Sequence, residues 1–353
     1  MPDLDDLGFL TRHDPMDMAG LTLGFADQCA RAVQIAQDAP LPKAFATPDH
    51  ALVTGLGGSA AGGDLLAALF VEQGKIPLFV NRDYTVPHFV GTGSLVFVCS
   101  YSGNTEETIS AYLDARKKGA SIIAVTSGGK IGEMAQADGF PTVTVPGGQP
   151  PRTAMGFMLM PLIVASGQLG LIPNQDFDRA VAAARQTAEE CGFSTPTADN
   201  PAKQLALSLH GKIAALYGAG NWQFAIAQRW RGQINENAKE MALTHQFPEL
   251  CHNEILGWEG ASSQGVAAWE SVVLMGGDEG ERLKKRIEST CRLIGNAAHF
   301  HLIAAHGSSR LAQMLSLAHF GDWLSLYLAA LGGRDPGQMK AIDALKDELS
   351  RLG

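Results

Sequence analysis

Two glycines and four hydroxyl side chains mark the places in this sequence where an anion could be held. In Val96-Phe97-Val98-Cys99-Ser100-Tyr101-Ser102-Gly103-Asn104-Thr105 a short apolar strand runs into a hydroxyl-rich turn, and Glu106-Glu107-Thr108 begins a helix. A strand that ends at a helix N-terminus leaves backbone N–H groups unpaired at the positive end of a dipole worth roughly half a charge. An anion binds there without Lys or Arg. Ser100, Ser102 and Thr105 add hydroxyl donors around the same point. A plain capped helix start, with Asn104 as N-cap and Glu107 closing a capping box, accounts for those two residues and leaves the hydroxyls unexplained. The second stretch, Thr54-Gly55-Leu56-Gly57-Gly58-Ser59-Ala60-Ala61-Gly62-Gly63-Asp64, follows the first strand and opens the first helix. Alone it also fits G-x-G-x-x-A, with Asp83 near the place where a dinucleotide ribose would be read. A dinucleotide fold, however, has no use for a second hydroxyl-rich turn after the third strand, and no Gly-Lys-Ser/Thr follows the glycines as a Walker A loop requires. Gly57, Gly58 and Ser59 with Ser100, Ser102 and Thr105 therefore point to one small anionic group, a phosphomonoester.

Groups that could move protons stand in the second half. Arg229-Trp230-Arg231-Gly232-Gln233-Ile234-Asn235-Glu236-Asn237-Ala238-Lys239 falls in a helical pattern. At about 100° per residue, Ala227, Trp230, Ile234, Ala238 and Met241 form one apolar stripe and Glu236 points away from it. On a single helix that describes a solvated glutamate, paired with Lys239 three residues on. Downstream comes Pro248-Glu249-Leu250-Cys251-His252-Asn253-Glu254-Ile255, a histidine-bearing segment after a Pro-marked loop. His299, His301 and His306 form a further group. His299 and His301 alternate on one strand face and could bind zinc, but no third ligand with suitable spacing is evident, and structural histidines are expected there instead of a metal site. Met155, Met158 and Met160 belong to an apolar helix and are expected in the core.

The elements that must carry these groups alternate. Strand-length apolar runs occur at Ala51 to Gly55, Ile76 to Val80, Leu95 to Ser100, Ser121 to Thr126 and Thr142 to Val145, with helices through Phe70 and Lys118 between them. This predicts a doubly wound parallel sheet. An apolar helix over Met155 to Gly170 follows, then a Pro-marked polar segment, Pro173 to Pro201, with a helix around Asp178 to Glu190. The alternation then restarts: strand Ile213 to Tyr217, the turn Gly218-Ala219-Gly220, a long helix from Trp222 to Leu243, strands at Ala267 to Met275 and Phe300 to Ala305, and a helix over Arg310 to Leu331. The pattern predicts a pseudo-repeat of one α/β unit: an N-terminal helical segment over 1–44, a first domain over 45–172, a linker over 173–200 and a second domain over 201–353.

Bulk properties bound the partners. At 353 residues and 46% hydrophobic, the chain can build two cores. A net charge of -9 argues against nucleic acid, so an anionic ligand has to be held by local dipoles and hydroxyls. The five cysteines are scattered and odd in number, with no CxxC, so neither a disulfide framework nor a cysteine zinc site is expected. The acidic start Met1-Pro2-Asp3-Leu4-Asp5-Asp6 has no basic n-region, and no uninterrupted apolar run approaches about 18 residues. No membrane association and a cytoplasmic location are expected.

Gly57-Gly58-Ser59 with Ser100-Tyr101-Ser102-Gly103-Asn104-Thr105 resembles the sugar isomerase (SIS) domain, a flavodoxin-like phosphosugar-binding unit. Residues 45 to 170 are similar to one such unit, and 200 to 353 to a second, degenerate one. Asn235-Glu236-Asn237-Ala238-Lys239 followed by Glu249-Leu250-Cys251-His252-Asn253-Glu254 resembles one branch, the bifunctional phosphoglucose/phosphomannose isomerases. So do Pro151-Arg152-Thr153-Ala154 and the closing Ile342-Asp343-Ala344-Leu345-Lys346. The resemblance implies two three-layer αβα SIS domains with parallel sheets and an aldose-ketose isomerase acting on sugar 6-phosphates. It implies Glu236 as the base that moves a proton between C2 and C1, Arg152 as the cation beside the developing enediolate, His252 in ring opening and Lys346 at the ring oxygen. It also implies a homodimer with shared active sites, His252 coming from the neighbouring subunit, with no cofactor and no metal. One element departs: the family threonine near the C-terminus that accommodates both C2 epimers has no counterpart, because no threonine follows Thr290 and Gly337-Gln338-Met339 stands in its place. Two other classes remain open from the sequence, a non-catalytic phosphosugar-binding SIS regulator and an amino-sugar phosphate isomerase. The first 45 residues hold no basic recognition helix, and a glutamine-using enzyme would need a glutaminase domain with an N-terminal Cys where this sequence reads Met1-Pro2.

Overall fold

The computed structural model describes residues 3–41, 47–265, 269–295, 299–349 and 351. The expected boundary at residue 45 and the expected strand start at Ala267 lie outside the described residues. Three helices come first, α1 (Leu7–Thr11), α2 (Met18–Leu23) and α3 (Phe25–Asp38). Strands β1 (His50–Thr54), β2 (Leu78–Asn81), β3 (Ser94–Ser100), β4 (Ser121–Thr126) and β5 (Thr142–Thr144) then alternate with α4 (Gly57–Gln73), α5 (Glu106–Lys117) and α6 (Gly129–Ala137). They form a five-stranded parallel sheet in the order β2-β1-β3-β4-β5. Every residue of β3 is buried. Phe97 faces one core with Val53 and Ile123, while Val96 and Val98 face another with Leu52 and Ala124. A strand covered on both faces reads as an unbroken apolar run, which is why this sheet was visible in the sequence.

Helices α7 (Met155–Gln168), α8 (Phe177–Cys191) and α9 (Pro201–Leu209) lead to a second parallel sheet. Its strands are β6 (Ile213–Gly218), β7 (Ala242–Gln246), β8 (Trp269–Met275) and β9 (His299–Ala304), in the order β7-β6-β8-β9. Renumbered from its own first strand, this is the 2-1-3-4 order of the first sheet without the last strand, so the two halves repeat one topology. Helices α10 (Asn221–Gln233), α11 (Glu254–Gly257), α12 (Glu281–Ile294), α13 (Arg310–Leu331) and α14 (Lys340–Leu349) complete the chain. Met155, Met158 and Met160 are fully buried on α7, as expected.

Two local expectations fail. The long helix does not run to Leu243: α10 stops at Gln233, widens into a single π turn over Ile234–Ala238 and ends at Lys239 in the left-handed region (φ 59°). The chain then enters β7, so Met241 is exposed and leaves the apolar stripe that the helical count assigned to it. Helical periodicity carried straight through Ile234–Ala238 because a π turn changes the backbone pitch and not the residue types. At the start of α5, Thr105 and not Asn104 is the N-cap, and it makes no side-chain cap bond. The Asn104 side chain joins two turns instead: Oδ1 accepts from Lys130 N at 3.1 Å and Nδ2 donates to Ser102 O at 3.2 Å.

Helix α13 is the central post. It is long and apolar enough to cross a membrane, with mean hydropathy 1.2, yet the whole of that apolar window is buried inside the protein. Helices α8, α9 and α10 pack around it. Trp230 of α10 donates through Nε1 to Leu317 O at 2.7 Å and stacks on Phe320 with ring centres 5.3 Å apart. Gly321 makes this approach possible, since a Cβ there would sit 2.3 Å from the indole. Gly321→Ala is therefore expected to lower the unfolding free energy by roughly 1–3 kcal/mol through overpacking, read by urea denaturation. Helix propensity alone predicts the opposite sign, a gain of about 1 kcal/mol, and a stabilised variant would remove the packing explanation.

Candidate active site

The turns after β1 and β3 lie side by side because those strands pair, Thr54 opposite Val98. This is where the strand order reverses direction, the usual ligand position of an open parallel sheet. Helix α4 starts at Gly57 (φ 53°) without a side-chain cap, and α5 also lacks one. First-turn N–H groups are therefore left to solvent or to a ligand. Ser59 Oγ accepts from Tyr101 N at 3.2 Å, stitching the first turn to the second. Ser100 Oγ and Thr105 Oγ1 are 3.1 Å apart, and Ser102 Oγ accepts from Asn104 N at 3.3 Å. Gly103 is in the left-handed region (φ 70°), and a Cβ there would lie 1.8 Å from Gly128 O, so no other residue closes this turn.

From the start of α4 a cleft of about 390 Å³ runs toward α10, lined by Gly57, Gly58, Asp64, Arg82, Arg152 and Glu236 among others. Gly58 lets the segment after the first sheet pack onto the start of α4: a Cβ on it would be 2.9 Å from Pro151 O and 3.5 Å from Arg152 Cα. Arg152 is buried and held by the second half. Its Nε donates to Asn237 Oδ1 at 2.7 Å, Nη2 donates to Pro336 O, and Nη1 faces Glu236 Oε2 at 3.9 Å. Pro336 immediately precedes Gly337-Gln338-Met339. Behind it, Arg229 Nη2 and Gln233 Nε2 both donate to Asp322 Oδ1, at 2.7 and 2.6 Å, and Asn237 Nδ2 donates to Ser325 Oγ at 2.9 Å.

Glu236 sits on the π turn and not on a solvated helix face. Burial raises its carboxyl above the ordinary glutamate value, with Arg152, Arg229 and Lys239 pulling the other way. Lys239 is turned from it to donate to the carbonyls of Asp335 and, at 3.4 Å, Asn237. Burial also lowers the affinity of Arg152 for its proton, opposed by Glu236 and Asp335. Asp64, raised by burial and opposed by its partner Arg82, is the other carboxyl of the cleft. Arg82, Arg152, Arg229 and Arg231 outnumber Asp64 and Glu236 there. The chain is acidic as a whole, but this cleft is basic and suits a doubly charged phosphate with a carboxylate base beside it.

The structure thus brings Gly57, Gly58, Arg152 and Glu236 onto one cleft, with Ser59, Ser100, Ser102 and Thr105 in the adjoining turns. His252 ends the short helical turn Glu249–His252 after β7, is exposed, and does not line the cleft. Lys346 is exposed on α14 and does not line it either. Arg82, Gln228, Arg231 and the Asp322 network were not singled out from the sequence. Arg229 and Arg231 stood in a quoted stretch, but nothing in their spacing says that a buried Asp322 aims one of them at the first half.

Comparison with known proteins agrees with this layout. The SIS domain family matches residues 44–138, and the family described as bacterial phospho-glucose isomerase C-terminal SIS domain matches residues 198–349. A bifunctional phosphoglucose/phosphomannose isomerase from Caldicellulosiruptor bescii is 41% identical over 92% of this chain and 97% of its own length. One of the same name from Thermoplasma volcanium is 35% identical over 86% of this chain and 92% of its own. A crystal structure of a hypothetical protein from Thermus thermophilus shares the fold at a TM-score of 0.73 and 17% identity, over 99% of this chain and 98% of that one. With its tandem parallel sheets, its SIS signatures and these relatives, the chain belongs to the bifunctional phosphoglucose/phosphomannose isomerase family.

Proposed function

We propose that this protein interconverts glucose 6-phosphate, and mannose 6-phosphate as a second aldose, with fructose 6-phosphate, working in the cytoplasm as a homodimer with shared active sites. One observation carries the proposal: the Glu236 carboxyl, raised by burial, stands 3.9 Å from the buried Arg152 guanidinium in a cleft that begins at the uncapped start of α4. The phosphate end of the sugar is held by the Gly57, Gly58 and Ser59 turn with Ser100, Ser102 and Thr105. His252 protonates and deprotonates oxygens during ring opening, with Lys346 at the ring oxygen. Glu236 then takes the proton from C2 of the open aldose. The released electron pair forms the C1–C2 double bond of a cis-enediolate, and charge moves onto the C1 oxygen. Arg152 Nη1, whose partner among the described residues is Glu236 alone, offsets that charge. A proton passes from the C2 hydroxyl to the C1 oxygen, the carboxyl returns its own proton to C1, and the electron pair left on the C2 oxygen forms the ketose carbonyl. Nothing in this sequence of steps calls on a cofactor.

A dimer is supported by what the single chain leaves uncovered. His252 lies outside the cleft of its own chain, with Leu256 exposed four residues on. Helix α14 exposes Ile342, Leu345 and Leu349 on one side, and a second copy would cover such a stripe. The linker proposed over 173–200 contains α8, which packs on α13 and α3 and so acts as a rigid brace between the two α/β units.

A coupled assay with fructose 6-phosphate, reading glucose 6-phosphate and mannose 6-phosphate separately, tests the reaction. Glu236→Gln is expected to lower kcat about 10²–10⁴-fold with little change in KM. Full activity in that variant removes Glu236 as the base, and phosphosugar binding without wild-type turnover makes the protein a binder instead. Because the base must be ionised and burial raises its pKa, kcat/KM should climb with pH through a value above the ordinary glutamate range. Arg152→Met removes an opposing positive charge and should move that limb to higher pH; an unmoved limb would mean that it reports another group. Sharing of sites has its own test. Mixing inactive Glu236→Gln with inactive His252→Ala and allowing subunits to exchange should restore roughly a quarter of wild-type activity, since half the dimers are then mixed and each has one intact site. No recovery despite exchange would place His252 in the cleft of its own chain, and full activity of His252→Ala by itself would place it outside the reaction.

A further inference from the structure

Away from the cleft, the strand pair β8 and β9 assembles a set of donors that the sequence showed only in part. His299 opens β9 and His301 follows two residues on, so both side chains leave the same face. In the parallel pairing Glu270 stands opposite His299 and Val272 opposite His301, and Glu270 meets both histidines on that face. His299 Nδ1 and His301 Nε2 are 3.2 Å apart. Glu270 Oε2 lies 3.7 Å from the first and 3.9 Å from the second. A triangle of these sides has a point roughly 2.1 Å from all three atoms, the length of a zinc bond to nitrogen or oxygen. His306, the third histidine of the sequence group, is elsewhere, 3.1 Å from Glu190.

Glu270 supplies the second reason. Its side chain is 7% exposed, and Oε1 is tied to Lys212 Nζ. The other oxygen, Oε2, is buried and has no hydrogen-bond partner among the described residues. A buried carboxylate oxygen with no donor is costly, and here it is aimed at two imidazole nitrogens. Lys212 fixes the carboxylate from behind, as outer partners of metal-binding carboxylates do.

We propose that Glu270, His299 and His301 bind one divalent transition-metal ion of the zinc class. Two imidazoles and a carboxylate suit zinc, cobalt or nickel better than magnesium or calcium, which prefer oxygen ligands throughout. His299 is 70% exposed, so the ion enters from solvent and keeps its remaining coordination positions for water or another ligand. The site shares no residue with the cleft and lies on β9, the sheet edge opposite β7. Its effect is therefore on the fold: the ion bridges an edge strand to its neighbour and stabilises the folded chain that binds it.

Calorimetric titration of the full-length, chelator-stripped protein with zinc at neutral pH tests the site, with cobalt as a spectroscopic probe. The expected result is one ion per chain, visible cobalt bands of low coordination number and a raised Tm. Glu270→Gln and His301→Ala should each weaken zinc binding at least about tenfold. His299→Ala, at an exposed position, should do the same while leaving the Tm of the metal-free protein unchanged, which separates loss of the site from loss of the fold. No zinc uptake by the wild type, or equal uptake and affinity in His299→Ala, overturns the proposal.

Discussion

The burial of the Arg152 guanidinium is the interaction on which the rest of this molecule depends. Its backbone comes from the turn after the first sheet and is pressed against Gly58, while its Nε and Nη2 donate to Asn237 and Pro336 of the second half. Taking a charge out of water is expensive, and breaking a buried ionic arrangement costs about 3–5 kcal/mol. Arg152 stays charged because neutral acceptors satisfy two of its nitrogens and Glu236 lies within ion-pair distance of the third. The same contacts fix where the turns after β1 and β3 stand relative to Glu236. A side chain of the first half that finds its partners in the second ties the two halves together.

Behind Arg152 the second half keeps a line of buried polar groups. Burial works to raise the carboxyl of Asp322, but Arg229 and His319 outweigh it and hold the pKa below the ordinary aspartate range. Asp322 anchors Arg229 and Gln233 of α10 to α13. Glu236, one turn further on, is shifted in the opposite direction. Two acidic groups on the same network are shifted in opposite directions by their environments, Glu236 upward by burial and Asp322 downward by the cationic groups beside it.

The π turn over Ile234–Ala238 connects these roles. A regular helix would have carried Glu236 around with the exposed face, as the 100° count implies. The wider turn directs Asn237 inward to Arg152 and Ser325 while Glu236 faces the cleft, and it ends at Lys239 so that the chain can enter β7. Such bulges often occur at functional sites, and here the departure from helical geometry sets the direction of Glu236.

Much of the architecture was legible in the sequence because its cause is local. Unbroken apolar runs such as Leu95 to Cys99 report a sheet covered on both faces, and glycine turns such as Gly57-Gly58 report backbone that needs positive φ or close approach. The hydroxyl-rich turns after β1 and β3 follow from the same local rules, and Glu236 and Arg152 are named through their family motifs. The sequence by itself determined the two parallel sheets, their repeat and, through its motifs, Gly57, Gly58, Arg152 and Glu236 of the cleft. What only the tertiary structure decided is which groups face one another: Asp322 behind Arg229, Asn237 and Pro336 around Arg152, Glu270 beside His299 and His301. Residue spacing encodes period and turn chemistry, whereas these encounters depend on strand register and on how α10 crosses α13, distances that close only when the whole chain has folded.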